Sequence, residues 1–112
     1  MGKVVFISTD RIGQGDEELG RKLAASFLYS LARTEPKPDA VLLMNSGVRL
    51  ACEGSPALDD LRLLAEDGVV IKSCGTCLDY YGLKDSLAVG EVGNMNDTAA
   101  AFMGADDVVT IA

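Results

Sequence analysis

Histidine is absent from the 112 residues, and so is tryptophan. The first absence removes the Ser-His-Asp triad, the Cys-His nucleophilic pair and every histidine-ligated metal site. Positive charge is scarce: ten Lys and Arg stand against seventeen Asp and Glu, giving a net charge of −7. A field of that sign repels phosphate backbones and anionic headgroups, so neither nucleic acid nor a membrane surface is an expected partner. Long apolar runs are missing as well. The first ten residues, MGKVVFISTD, hold the short run Val4-Val5-Phe6-Ile7, whereas a secretory leader needs an apolar region of about 7–15 residues and a membrane span roughly 18–20. The expected location is therefore the cytoplasm, where thiols stay reduced, and three cysteines do not read as a disulfide framework. What remains for chemistry is thiols, carboxylates, hydroxyls and backbone donors.

What is present is a globular composition. Hydrophobic residues make up 48% and charged residues 24%, which excludes disordered, collagenous and coiled-coil classes and implies a packed core. The length predicts one domain over residues 1–112. Four continuous apolar runs, at residues 4–7, 41–44, 69–71 and 108–111, read as strands buried on both faces of a parallel sheet. Between them lie helical patterns. From Asp16 to about Arg33 the positions Leu19, Leu23, Phe27 and Leu31 recur every four residues, backed by Ala24 and Leu28, with Asp16, Glu17 and Glu18 matching the helix dipole in the first turn. Pro36 and Pro38 close that helix. Ser55-Pro56 predicts the start of a second helix with Leu58, Leu61, Leu64 and Ala65 as its buried face, ended by Gly68. A short strand over 88–92 and a last helix with Met95, Ala99, Phe102 and Met103 on one face complete the series. The alternation predicts an α/β fold: a three-layer α/β/α arrangement around an open, mainly parallel sheet of about five strands. No internal repeat, linker or low-complexity tract interrupts it.

In open α/β sheets the functional crevice lies beyond the carboxyl ends of the strands. The residues expected there are Ser8-Thr9-Asp10, Asn45-Ser46-Gly47 and Ser73-Cys74-Gly75-Thr76-Cys77. Cys74 stands where a strand gives way to a helix, and free amides at a helix start stabilise a thiolate. Positions 74, 77, 78 and 81 share helical spacing, so the sulfurs of Cys74 and Cys77 should lie on one face. Gly75 and Thr76 flank them, with Gly75 easing access to Cys74, while Asn45, Ser46 and Gly47 offer polar donors or a simple turn. Three readings of the thiols stand open: a reactive pair, two small buried hydrophobes, or part of a metal site. The last lacks ligands, because Cys52, Cys74 and Cys77 make three with no histidine, and no metal or other cofactor is expected. Cys52 itself is either a core thiol or a third thiol bordering the crevice. Gly13-Gln14-Gly15 does not make a dinucleotide loop, since Glu18 stands where the pattern needs glycine.

The run Cys74-Gly75-Thr76-Cys77-Leu78-Asp79-Tyr80-Tyr81-Gly82-Leu83, with Asn45-Ser46-Gly47-Val48, Glu53-Gly54-Ser55 and Gly90-Glu91-Val92-Gly93-Asn94-Met95, resembles the DsrE/DsrF-like sulfur-relay superfamily. Within it, the pattern is similar to the carboxyl-terminal DsrE-like domain of the YedF proteins, which are sulfurtransferase-like and associated with selenium metabolism. The resemblance implies a doubly wound parallel sheet and trimer-based homo-oligomers. It also implies a cysteine after the third strand that carries sulfur as a persulfide, a position that falls on Cys74, with Cys77 as second thiol. The partners it implies are sulfur donor and acceptor proteins, among them a TusA-like domain of the kind that precedes this one in YedF proteins. Thiol–disulfide exchange, for which a CxxC pair suffices, and a non-catalytic oligomeric binding module with structural cysteines are the competing expectations.

Overall fold

Each apolar run becomes a strand of one five-stranded, all-parallel sheet in the computed structural model, which describes residues 2–112. In chain order the elements are β1 (Lys3–Ile7), α1 (Glu17–Leu31), β2 (Ala40–Leu43), a 3₁₀ segment (Asn45–Ala51), α2 (Leu58–Glu66), β3 (Val70–Cys74) and α3 (Gly75–Tyr80). A 3₁₀ turn (Lys84–Ser86), β4 (Glu91–Gly93), α4 (Met95–Gly104) and β5 (Asp107–Ile111) follow. The spatial order is β4-β3-β2-β1-β5.

That order dictates the layers. The crossovers from β1 to β2, β2 to β3 and β3 to β4 all step the same way, so right-handedness puts α1, α2 and α3 on one face of the sheet. The return from β4 to β5 runs the other way across the whole sheet and places α4 on the opposite face. The main core fills the first interface, where Val5, Ile7, Val41, Leu43 and Ile71 meet Ala24, Leu28, Leu61, Leu64 and Leu78. The fully enclosed leucines contribute about 1.5–3 kcal/mol each. The second interface is smaller, with Val4, Ala40 and Leu42 under Phe6, Ala101, Phe102 and Ala105, and the rings of Phe6 and Phe102 meet edge to face with centroids 5.1 Å apart.

Several expectations are corrected. In α1 the buried line is Gly20, Ala24 and Leu28, one position on from the predicted stripe, leaving Leu19 and Leu23 exposed at 54% and 44%. A side chain at position 20 would run into Arg11 Cβ and the Ile12 backbone, so the glycine lets the loop after β1 lie on the helix and rotates the leucines outward. α2 begins at Leu58 and not at the Ser55-Pro56 pair. Ser55 instead accepts the Ala57 amide at 3.0 Å, bracing the turn before the helix. Ala65 is exposed; Leu61 and Leu64 form the buried face. The short strand expected over 88–92 forms as β4, three residues long. In α4, Phe102 and Ala101 contact the sheet, whereas Met95 and Met103 face outward, 59% and 87% exposed. Only β2 is buried along its whole length; β5 is an edge strand open to solvent. No helix among the described residues is long and apolar enough to cross a membrane.

The same topology locates the crevice. β3 leads into α3 on one face, and its neighbour β4 leads into α4 on the other. The chain therefore diverges between the carboxyl ends of these two strands, which is where open α/β sheets form their binding crevice. The last paired residues there are Cys74 and Gly93.

Candidate functional site

Cys74 ends β3 and is the residue before the first turn of α3. Its backbone is extended, at φ −59° and ψ 123°, so the strand turns into the helix at the sulfur-bearing residue. Leu78, with no exposed surface, anchors α3 in the core and holds the turn in place. Cys74 and Cys77 are both half-buried free thiols, one helical turn apart and near enough for the charge of one sulfur to act on the other. Gly75 does not open the approach to Cys74 as expected. A β-carbon there would stand 3.0 Å from Val92 Cγ1 and 3.3 Å from the Gly93 carbonyl, so the space left by its missing side chain belongs to β4.

Opposite the pair lies the end of β2. Asn45 opens the 3₁₀ segment with φ at +52°, the one non-glycine residue with positive φ among those described. Asparagine tolerates this left-handed conformation better than most residues. The twist aims its amide away from the sheet, and that N–H donates to Cys77 Sγ at 3.1 Å. The Asn45 side chain is fixed from two sides: its Oδ1 accepts the Ser46 amide at 2.8 Å and the Tyr81 hydroxyl at 3.0 Å. The Tyr81 ring in turn carries the Arg49 guanidinium 4.4 Å from its centroid and meets Tyr80 edge-on at 5.4 Å. Asn45, Thr76, Cys77, Tyr80 and Tyr81 line a cavity of about 380 Å³.

Burial pushes the Cys77 thiol above its ordinary range. The Asn45 amide pulls it part of the way back, and the Cys74 sulfur raises it again through hydrogen bonding and charge. No carboxylate is among these causes. Raised from an ordinary value that already lies above neutrality, the Cys77 thiol keeps its proton at neutral pH.

The other predicted positions separate into supports and bystanders. Ser46 accepts the Asp10 amide at 3.2 Å, tying the loop after β1 to the end of β2. Gly47 is buried and offers no donor to the crevice; it lets the 3₁₀ segment pass against the Ile7 carbonyl. Cys52 is a core thiol, 2% exposed, whose S–H donates to the Val48 carbonyl at 3.3 Å. Burial raises its pKa; Arg49 lowers it in part and Glu53 adds to the rise. Among the described residues no three His, Cys, Asp or Glu side chains gather as a metal-binding group.

Two residues of the site, Tyr81 and Arg49, were not among the predicted ones, whereas Ser73 was expected at the strand end. Tyr81 had a signal, since it occupies the fourth position of the helical spacing that begins at Cys74. Arg49 had none, because its partner ring lies 32 residues away in sequence. Ser73 is the fully buried neighbour of Cys74, and its hydroxyl finds no hydrogen-bond partner among the described residues.

No family model matches the sequence, and no curated protein matches it. Solved structures do. The ychN protein from E. coli is 25% identical over 99% of this chain and 100% of its own, with a TM-score of 0.74. The protein of unknown function MTH1491 from Methanobacterium thermoautotrophicum is 20% identical, with 95% and 97% of the two chains covered and a TM-score of 0.66. The conserved protein of unknown function BT1422 from Bacteroides thetaiotaomicron is 13% identical, with 97% and 94% covered and a TM-score of 0.63. The likeness takes in nearly the whole of each chain, and the shared architecture is a DsrE-like α/β fold.

Proposed function

We propose that this chain is a sulfur-relay, sulfurtransferase-like protein that carries sulfane sulfur as a persulfide on Cys74, with Cys77 as the second thiol. The single observation that carries this reading is the placement of two free, half-buried thiols, Cys74 and Cys77, one helical turn apart at the point where the sheet's connections diverge. In the loading step the Cys74 thiolate attacks the outer sulfur of a donor persulfide. The donor's S–S bond breaks, its inner sulfur leaves as a thiolate, and Cys74 carries the transferred S–H. An acceptor thiolate takes that sulfur by the same exchange in reverse, and selenium transfer is a variant with the same electron count. The similarity to YedF-type domains supports this choice over simple redox exchange.

The setting proposed is cytoplasmic, with donor and acceptor proteins, a TusA-like domain among them, docking at the crevice. A trimer-based homo-oligomer is proposed from the same similarity. The outward apolar groups Val70, Met95, Met103 and Val108 give it surface to bury, and light scattering that returned a monomer mass would contradict it.

The test of sulfur carriage is intact mass after incubation with a low-molecular-weight persulfide. One added sulfur atom, lost on reduction and absent in Cys74→Ala, is the expected result; no adduct in the unsubstituted protein refutes the reading. The CxxC spacing of two free thiols also favours a second reading, thiol–disulfide exchange. It predicts a reversible Cys74–Cys77 disulfide in a redox titration with no sulfur adduct. Slow alkylation of all three thiols in the folded protein would instead point to a non-catalytic binding module.

A further inference from the structure

The Cys77 sulfur is held from outside its own helix. A backbone amide reaches it from the end of β2, that amide is aimed by a left-handed asparagine, and the asparagine side chain is pinned by a tyrosine hydroxyl from the last turn of the thiol helix. We propose that Asn45 and Tyr81 serve the release step of sulfur transfer: Asn45 donates its amide to the attacking Cys77 sulfur, and Tyr81 is the positioning residue that keeps it there. The inference rests on the sulfur-carrying reading and deepens it.

The step balances as follows. Cys77 gives its proton to solvent, and the thiolate attacks Cys74 Sγ in the loaded protein. A Cys74–Cys77 disulfide forms, the bond from Cys74 Sγ to the carried sulfur breaks, and that sulfur departs with the electron pair as hydrosulfide. The carried sulfur is reduced by two electrons and the two cysteines are oxidised by two. A dithiol reductant is the class of reagent that resets the pair.

Geometry makes Asn45 suited to this step. An amide N–H pointing at sulfur stabilises the anion more than the thiol. The amide is 3.1 Å from Cys77 Sγ. Its direction depends on φ of +52° at Asn45, which few side chains sustain unaided. Here Oδ1 takes two donors, Ser46 N–H at 2.8 Å and Tyr81 Oη at 3.0 Å, and the pair of bonds fixes side chain and backbone together. Arg49, whose guanidinium makes no hydrogen bond or ion pair with any described residue, lies over the Tyr81 ring at 4.4 Å and helps hold the ring in place.

The test uses the full chain, loaded with glutathione persulfide and freed of excess donor, with sulfide release followed by bimane trapping. Tyr81→Phe removes one hydroxyl. Asn45→Gly keeps an amide and permits positive φ but removes Oδ1. Each should slow release by roughly three- to tenfold, the effect of one hydrogen bond on a rate. Each should also move the pH midpoint of Cys77 alkylation upward, a shift that a purely structural role would not produce. Cys77→Ser should load and then fail to release. Unchanged release and an unchanged Cys77 profile in Tyr81→Phe overturn the proposal. If the unsubstituted protein never loads, the sulfur-carrying reading fails by itself. The alkylation profile then still judges the Asn45–Tyr81 pair: a shift in both variants supports it, and no shift removes it.

Discussion

Gly47→Ala tests how the site is mounted. The glycine is buried in the 3₁₀ segment that begins with Asn45, and its N–H donates to the Met44 carbonyl at 2.9 Å. An added β-carbon would collide with the Ile7 carbonyl oxygen and stand 3.1 Å from its carbon and 3.2 Å from the Thr9 amide nitrogen. All three neighbours are backbone, so no side chain can swing aside. The carbonyl is also engaged, accepting the Met44 amide at 3.0 Å. Relief therefore requires either moving the end of β1 or breaking that buried bond. Overpacking costs about 1–3 kcal/mol and an orphaned buried polar group about 1–3 more, which sums to about 2–6 kcal/mol. Against a total stability of about 5–15 kcal/mol this is a large fraction, and it corresponds to a melting temperature lower by roughly 10 °C or more. Gly15→Ala is the matched control, because nothing lies within 4 Å of a β-carbon there and its φ is not in the left-handed range. That variant should melt within a few degrees of the parent, and fewer unfolded conformations can raise it slightly. Circular dichroism melts and urea titrations of the three proteins decide the matter. A Gly47→Ala protein as stable as the Gly15→Ala control would refute the account of why glycine stands at position 47.

Ser73→Ala removes a hydroxyl that is buried with no partner among the described residues, so the urea midpoint should rise by the equivalent of about 1 kcal/mol, and a fall would contradict this. Arg33 clamps α1 to α2: its Nη1 donates to Asp60 Oδ1 and to the Tyr29 carbonyl, both at 2.9 Å, while the guanidinium lies 3.7 Å from the Tyr29 ring centroid. Arg33→Ala should cost about 1 kcal/mol in urea unfolding, and no loss would mean the clamp is idle. Cys52 and Cys77 both have raised pKa values in the folded protein. The stability tied to their protonated forms is present below the unfolded thiol pKa and is lost as pH rises through the folded values. Urea midpoints should accordingly decline above about pH 8.5, and a Cys52→Ala, Cys77→Ser variant should flatten that decline; an identical slope in the variant would refute it.

The sheet was legible because its signal is local and redundant. A run such as Val41-Leu42-Leu43 has no polar face and can only be an interior strand, and β2 is indeed buried throughout. The α1 stripe was off by one position because four-residue spacing fits two adjacent lines on a helix. The choice between them was made by Gly20 meeting Arg11 and Ile12, a tertiary contact invisible to periodicity. At the site, the sequence placed Cys74 at the junction of β3 and α3 because strand, CxxC and helix follow one another directly. It could not assign Asn45 an amide aimed at sulfur, since that requires a positive φ and a partner 32 residues away. Nor could it tell that Gly75 makes room for Val92 and Gly93 and that Gly47 makes room for the backbone at the end of β1, because each close neighbour comes from a distant part of the chain.

The pairing of β1 with β5 has a consequence for synthesis. β1 is an inner strand with β2 on one side, but its other neighbour is the strand at residues 107–111, and Ser8 Oγ meets the Ile111 carbonyl across a separation of 103 residues. Until those late residues leave the ribosome, β1 is an edge with a row of unpaired amides and carbonyls, a form open to pairing with other chains. The loop closure that ends this exposure is nearly as long as the chain, and such non-local pairing is slow to form. A nascent chain stalled before residue 107 should therefore hold an incomplete sheet whose vulnerable strand is β1.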